Sequence, residues 1–230
     1  MIGFGSGILA LPILAYVIGI EYGVQIVIAS SFLTALIVII QNHKYIVWKS
    51  LLKIVIICGL GIPIGLFLTD YLSEFWLNLV LGIFMLFIGV RGLYQILSVR
   101  KVVLLKEKAR YVFHIFILFL GGIVHGAFGI GGPLVVIYAA DIIQGKNNFR
   151  ATMSMTWVVL NGILLIKNVS FAVMESDTHL LLLMAAVIPA VFLSSAIGHF
   201  LQKKISEKTF RILIYGLLVV IGIIYILKLI

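Results

Sequence analysis

The sequence contains little cysteine and little charge, and each shortage excludes a class of protein. Cys58 is the single cysteine among 230 residues, which excludes an internal disulfide and a cluster of cysteine metal ligands. Charged residues make up only 11% of the chain, well below the ~25% that is typical of soluble domains. The composition therefore excludes an ordinary soluble domain.

Apolar residues dominate what is present. Hydrophobic residues make up 63% of the chain, and the mean hydropathy is +1.26. Several runs approach the ~20 apolar residues that cross a bilayer as a helix, which predicts an all-α polytopic membrane protein. The formal net charge of +9 comes from lysines and arginines in short loops between these runs. Such charges report orientation in the membrane, so we expect the lipid bilayer and no nucleic acid as a partner.

The apolar runs divide the chain into two halves joined by a basic linker. Helices are predicted at about 8–20, 24–40, 51–69, 75–97, 111–127, 133–142, 148–167, 179–201 and 208–228. We expect residues 1–97 to form a first transmembrane repeat, 98–110 a basic cytoplasmic linker, and 111–230 a second transmembrane repeat.

A weak internal repeat relates the two halves. The segment "IGLFLTDYLSE" at 64–74 matches "IGHFLQKKISE" at 197–207, with Ile, Gly, Phe, Leu, Ser and Glu in the same places. Glycine-rich stretches at 3–12 and 126–138 occur in the same order in the two halves. The first copy of the matched segment is acidic and the second is basic. Under the positive-inside rule this exchange predicts two inverted-topology repeats of about four segments each.

The charge pattern also makes a prediction about the middle of the chain. If the basic loops are cytoplasmic, residues 111–142 must enter and leave the membrane on the same side. A hairpin that turns at the Gly129–Pro133 break satisfies this requirement. The alternative is one straight helix across 111–142.

The glycine-rich stretches are the candidate site. "GAFGIGGPLVVIY" at 126–138 and the weaker "GFGSGILALP" at 3–12 interrupt apolar segments, and unwound backbone in a membrane is tolerated where it lines a cavity. A helix that begins after the break would turn its free N–H groups and positive end towards an anion. The alternative is close helix packing through small residues. The candidate substrate-binding residues here are Gly3, Gly5, Ser6, Gly7, Gly129, Gly131, Gly132 and Pro133.

Polar residues near the break complete the candidate set. Arg150 is expected to begin a helix beside the break, where its planar donors suit an oxyanion; the alternative is a cytoplasmic-side anchor. His125 is a candidate for proton coupling, with a packing role as the alternative. The hydroxyls and the amide that could line the cavity or bond between helices are those of Ser30, Ser31, Thr152 and Asn161.

These stretches, followed by "NNFRATMSM", resemble the TauE/SafE family of bacterial and archaeal membrane permeases. The matching second-half residues are Gly129, Gly131, Gly132, Pro133, Phe149, Arg150, Ala151 and Thr152. The first-half motif has Ser6 where the family usually has Gly. The family also has an apolar half-repeat before this motif, so we expect the N-terminal half-segment of the first repeat to be missing.

The resemblance implies a transporter with about eight membrane segments and no cofactor. It implies export of small sulfur-containing anions such as sulfite or sulfoacetate, and we expect alternating access at a midplane site in the inner or plasma membrane. A homo-oligomer is compatible with the sequence. The alternatives are a non-transporting accessory membrane protein and an intramembrane serine protease, with Ser6 as nucleophile and His125 or His199 as base.

Overall fold

The described part of the chain is almost entirely helical. The computed structural model describes residues 5–97, 107–174, 178, 180, 182–183, 185–191 and 207–227, and no strand occurs among them. Four predicted features lie wholly or mostly outside these residues: Gly3, the linker 98–110, the helix at 179–201 and the second copy of the repeat at 197–207.

Long apolar helices account for most of the described chain. The helices are α1 (Gly5–Ile18), α2 (Ile20–Asn42), α3 (Trp48–Tyr71), α4 (Glu74–Leu97), α5 (Glu107–Phe128), α6 (Gly132–Ile142), α7 (Lys146–Met174) and α8 (Glu207–Leu227). Within the described residues, 5 helices are long and apolar enough to cross a membrane, namely α2 to α5 and α7. The prediction of an all-α polytopic membrane protein is confirmed.

Some helix boundaries differ from the predicted ones. Helices α1 and α2 meet at Gly19, whose positive φ of 86° turns the chain within one residue, so the expected longer loop is absent. Helix α5 begins at Glu107, so the last four residues assigned to the linker are helical. Helix α7 runs on to Met174 and takes Lys167 into its last turns. A lysine near a helix end extends its charged group towards the membrane surface, so it does not stop the helix.

Helices α5 and α6 form a hairpin. The chain turns at 129–131, and α6 then returns along α5. The rings of His114 and Tyr138 lie 5.2 Å apart, and Nε2 of His114 lies 3.0 Å from Oδ2 of Asp141. The start of α5 therefore lies beside the end of α6. This confirms the predicted hairpin and excludes a straight helix across 111–142.

Helices α3 and α5 pack with their backbones in contact. Two glycine pairs spaced four apart lie in this interface: Gly61 and Gly65 on α3, and Gly122 and Gly126 on α5. A Cβ atom on any of the four would collide with backbone of the facing helix. The contacts advance along both helices in the same direction, so the helices run parallel. Small residues spaced this way allow the close approach that membrane helices use in place of a hydrophobic driving force.

Two further helix pairs connect the halves of the chain. Helix α2 packs along α7, and α4 packs along α8. Gly82 lies against Gly222 and Gly89 against Val219, so α4 and α8 run antiparallel. The predicted repeat would make α2 equivalent to α7 and α4 equivalent to α8. The inverted repeat itself stays a prediction.

Candidate functional site

The glycine-rich break forms the turn of the α5–α6 hairpin. Gly129 has a φ of +69°, a left-handed backbone conformation that residues with a Cβ atom rarely adopt. Its amide donates a hydrogen bond to the His125 carbonyl at 2.8 Å. Pro133 occupies the first turn of α6, where its missing N–H leaves no acceptor unmatched. The Leu134 and Val135 amides both donate to the carbonyl of Gly131, the residue before α6, at 3.2 and 3.3 Å. The positive end of α6 faces the break, as the sequence predicted.

The break is buried because helices surround it closely. A Cβ atom on Gly129 would lie 2.9 Å from Cγ1 of Ile28 on α2. One on Gly131 would collide with the Gly121 carbonyl and lie 2.7 Å from Cβ of His125. Glycine is therefore required at 129 by backbone conformation and by space, and at 131 by space alone.

The two glycine-rich stretches meet in the structure. A Cβ atom on Gly7 in α1 would lie 3.3 Å from Oγ of Ser31 and 3.9 Å from Cγ2 of Ile130. The Tyr225 hydroxyl of α8 donates to the Pro12 carbonyl of the same helix at 2.7 Å. The first turns of α1 thus lie beside the break, which supports treating the two stretches as parts of one site.

Two buried aromatic rings carry unsatisfied polar atoms next to the break. His125 is 1% exposed and Trp157 is 5% exposed, and their ring centroids lie 5.3 Å apart. Both ring nitrogens of His125 and Nε1 of Trp157 lack a hydrogen-bond partner within the described residues. A buried polar group without a partner costs roughly 1–3 kcal/mol, so these atoms suit a ligand or ordered water.

A polar stripe on α7 extends the site in both directions from Trp157. We define the α7 stripe as Arg150, Ser154, Trp157 and Asn161, which lie on one face because they are spaced by four, three and four residues. Asn161 is 1% exposed, and its Oδ1 has no partner in the described part of the chain. Nε of the half-buried Arg150 also lacks a hydrogen-bond partner among the described residues. The stripe therefore carries three unsatisfied polar side chains.

Arg150 and Trp157 are separated along this stripe. Seven residues of helix span ~10 Å, so Arg150 lies about two turns from Trp157, towards the connection between α6 and α7. The sequence placed Arg150 beside the break, but the α7 side chain in contact with His125 is that of Trp157. Sequence reasoning missed Trp157, although the spacing of the α7 stripe signalled it.

Two of the predicted hydroxyls, those of Thr152 and Ser30, have hydrogen-bond partners within the protein. Oγ1 of the fully buried Thr152 accepts from the Val47 amide at 2.9 Å, which joins α7 to the start of α3. Oγ of Ser30 donates to the Val27 carbonyl at 3.0 Å, within α2. These two bonds give both hydroxyls a structural use.

The structure locates Gly5, Ser6 and Gln25 in the first half of the chain, but it does not describe Gly3. Gly5 begins α1 and Ser6 belongs to its first turn, whereas Gly3 lies outside the described residues. Gln25, which the sequence analysis did not single out, is one residue from Val24 on α2. The Val24 carbonyl lies 3.7 Å from where a Cβ of Gly129 would be, and Oε1 of Gln25 has no partner among the described residues.

The chemistry of this site suits a small oxyanion. Nε1 of Trp157 and Nε of Arg150 are hydrogen-bond donors only, and the start of α6 adds a positive end. Across the described residues, no group of three His, Cys, Asp or Glu side chains could hold a metal ion.

No curated protein and no solved structure matches the chain. The family model described as sulfite exporter TauE/SafE matches residues 1–225 of the 230. That match covers both glycine-rich stretches and the whole α7 stripe. The chain therefore belongs to the sulfite exporter TauE/SafE family of membrane transporters.

Proposed function

We propose that this transporter exports sulfite or a closely related small sulfur-containing oxyanion, such as sulfoacetate, across the cell membrane. The observation that carries the proposal is the set of buried, unsatisfied polar atoms of His125 beside the glycine break, of Trp157 in contact with His125, and of Asn161 one turn further along α7. Groups of this kind are expensive in an apolar bundle unless a ligand satisfies them.

The anion would bind at the level of the break. There the indole N–H of Trp157 donates a hydrogen bond, and the positive end of α6 adds favourable electrostatics. Arg150, about two turns away, attracts the anion towards this position from the α6–α7 connection. Gly129 and Gly131 let the turn pack closely against α2 and α5, Gly132 begins α6 without a side chain of its own, and Pro133 fixes the backbone of the first turn that faces the anion.

Transport would use alternating access between the two halves of the chain. The contact of Gly7 with Ile130 joins the two glycine stretches, and the α2–α7 and α4–α8 pairs provide interfaces on which one half can rock against the other. In this arrangement the linker 98–110 is cytoplasmic, and the bound anion is exposed first to the cytoplasm and then to the outside. His125 is the candidate carrier of a coupled proton, because its imidazole is titratable and lies next to Trp157 in the proposed site.

The experiment is anion flux in proteoliposomes, with sulfite, sulfoacetate, thiosulfate and acetate offered separately. We expect saturable flux of a sulfur oxyanion by the wild type and strong loss in Arg150→Ala at equal protein insertion. The absence of saturable flux for every anion, with correctly inserted wild-type protein, would overturn the proposal. That result would favour the accessory-protein alternative.

A second variant tests the hydrogen bond at the break. Trp157→Phe removes the indole N–H but keeps an aromatic ring against His125. Since a hydrogen bond to a charged group contributes ~1.5–3 kcal/mol, we expect KM for the anion to rise roughly tenfold or more. Trp48→Phe is the matched control, because Trp48 is 60% exposed at the start of α3. The KM of this variant for the anion should equal that of the wild type. Equal KM values in the two variants would remove Trp157 from the site.

A further inference from the structure

A second polar cluster lies at the opposite end of the α5–α6 hairpin from the break. It encloses an open cavity of about 500 Å³ between the first turns of α3 and α5 and the end of α6. The cavity is lined by Lys53, Glu107, Lys108, Arg110, Tyr111, Val112, His114 and Ile142. We call it the basic cavity. None of its residues belongs to the proposed transport site.

The charges of the basic cavity are not balanced. Three permanent cations, Lys53, Lys108 and Arg110, line it against one carboxylate, Glu107. Asp141 does not line the cavity; its Oδ2 lies 3.0 Å from Nε2 of His114 and 3.7 Å from Nε of Arg110. The Asp141 carboxylate therefore contacts Arg110 and His114, and it pairs with neither Lys53 nor Lys108.

Lys53 is held in place by aromatic rings instead of by an acid. Its Nζ lies 4.4 Å from the centroid of the Tyr111 ring and 5.3 Å from that of Tyr138. Within the described residues it forms no ion pair with a carboxylate. The rings orient the ammonium group without neutralising it. Lys53 therefore presents a positioned positive charge to the cavity.

The apolar wall of the cavity continues onto the membrane-facing surface. Val112 is 65% exposed and lines the cavity. One turn further along α5, Phe116 is 59% exposed, whereas Leu52 and Ile56, which are 57% and 60% exposed, lie on the face of α3 turned away from α5. Exposed apolar side chains on membrane-spanning helices face acyl chains. The cationic cavity thus lies near helix ends beside the lipid-facing side chains of α5, which matches an anionic lipid and not a soluble ion.

We infer that the basic cavity binds the phosphate head group of an anionic phospholipid, whose acyl chains lie along α5. Lys53 and Lys108 pair with the phosphodiester, and Tyr111 lies at the level of the head groups. The bound lipid holds the start of α3 against the α5–α6 hairpin. This inference is independent of which anion is transported.

The test is lipid retention by the protein in neutral detergent, measured by native mass spectrometry after exposure to phosphatidylglycerol or phosphatidylcholine. We expect the wild type to retain phosphatidylglycerol preferentially. The double variant Lys53→Gln, Lys108→Gln should lower its affinity roughly tenfold or more. Lys49→Gln is the control, because this exposed lysine on the first turn of α3 does not line the cavity, and its retention should equal that of the wild type.

Two further measurements distinguish a lipid phosphate from a soluble one and control for misfolding of the variants. Inorganic phosphate and glycerol phosphate, added at the lipid's concentration, should not displace phosphatidylglycerol; full displacement would assign the cavity to a soluble anion. Lys108→Glu changes only an exposed side chain, so it keeps the fold and should still weaken retention. Equal retention of both lipids by the wild type, or unchanged retention in Lys108→Glu and the double variant, would overturn the inference.

Discussion

Helix α5 uses glycine in two different ways along its length and at its end. In the contact with α3, Gly122 and Gly126 stay helical and let two backbones touch. At its end, Gly129 takes a left-handed conformation and stops the helix. The first use needs the absence of a Cβ, and the second also needs freedom in φ. Clustered glycine in a membrane helix therefore does not by itself distinguish packing from a site.

The surroundings of the two regions separate them. The α3–α5 contact is filled by apolar groups such as Ile62, and the buried Cys58 thiol has a partner there in the Leu118 carbonyl at 3.2 Å. The break lies beside His125 and Trp157, whose polar atoms have no partner in the described residues. A packing contact leaves no polar atom unsatisfied, whereas a binding site holds such atoms ready for its ligand.

The largest effect should come from breaking the packing contact. In Gly61→Leu, a side chain would enter where even a Cβ collides with the Phe119 carbonyl and lies 2.8 Å from the Ile123 amide. Because both neighbours are backbone and can not move aside, we expect α3 and α5 to separate and the folded protein to be lost. The measurement is the yield of monodisperse protein in detergent, together with its thermal unfolding.

Gly59 provides the control for that variant on the same helix. A Cβ atom on Gly59 has nothing within 4 Å, so Gly59→Leu should keep the fold. The milder pair Gly61→Ala and Gly59→Ala should differ by roughly 1–3 kcal/mol in the free energy of unfolding, because only the former overpacks an interface. Equal stabilities would mean that α3 and α5 are not in backbone contact.

A smaller effect on stability, with a large effect on flux, is expected at the break. Gly129→Ala forces an L side chain into φ +69°, which costs roughly 1–2 kcal/mol, and pushes its Cβ against Ile28. We expect folded protein with reduced anion flux, because the turn that presents α6 to the site shifts. Flux in proteoliposomes and thermal unfolding measure the two consequences separately.

Gly145 separates backbone strain from the site. It has φ +84° in the connection after α6, and the nearest atom to a Cβ there is Nδ2 of Asn148 at 3.7 Å. Gly145→Ala should therefore destabilise the fold by a similar backbone amount while leaving flux at the wild-type level. If both alanine variants lost flux equally, the break would have no special role in transport.

The smallest effect should come from the first glycine stretch. In Gly7→Ala, the new Cβ would lie 3.1 Å from Cγ1 of Val27 and 3.3 Å from Oγ of Ser31. These neighbours are side-chain atoms that can shift by a few tenths of an ångström, and alanine favours the helix by ~1 kcal/mol. We expect a change in unfolding free energy of less than about 1 kcal/mol. A loss as large as that of Gly61→Ala would show that α1 packs as tightly as α5 does.

Local patterns in the sequence predicted much of the fold. Runs of apolar residues located the long helices, because the length of a membrane span is set by the bilayer and is visible in composition. The cluster Gly129 to Pro133 located the hairpin, since three glycines and a proline together strongly disfavour a continuous helix. Single boundaries such as Gly19 were missed, because one glycine can either break a helix or stay within it.

The candidate site was found only in part. The sequence identified His125 and Asn161 as buried polar residues, and the structure buries both. For Thr152 it left open a donor in the cavity or a hydrogen bond between helices, and in the structure the oxygen accepts a hydrogen bond from the amide of Val47, 105 residues away along the chain. Trp157 escaped attention because tryptophan in a membrane protein is most often an interfacial anchor.

By itself the sequence determined the membrane class, the helix spans, the break after α5 and the family. Each of these depends on composition or on a short motif of residues that are neighbours in the chain. Tertiary structure alone decided which glycines pack and which turn, that Gly7 meets Ile130, and that Trp157 contacts His125. It also brought Lys53 to the rings of Tyr111 and Tyr138. These are contacts between residues far apart in the chain, and they depend on which faces of the helices meet in the bundle.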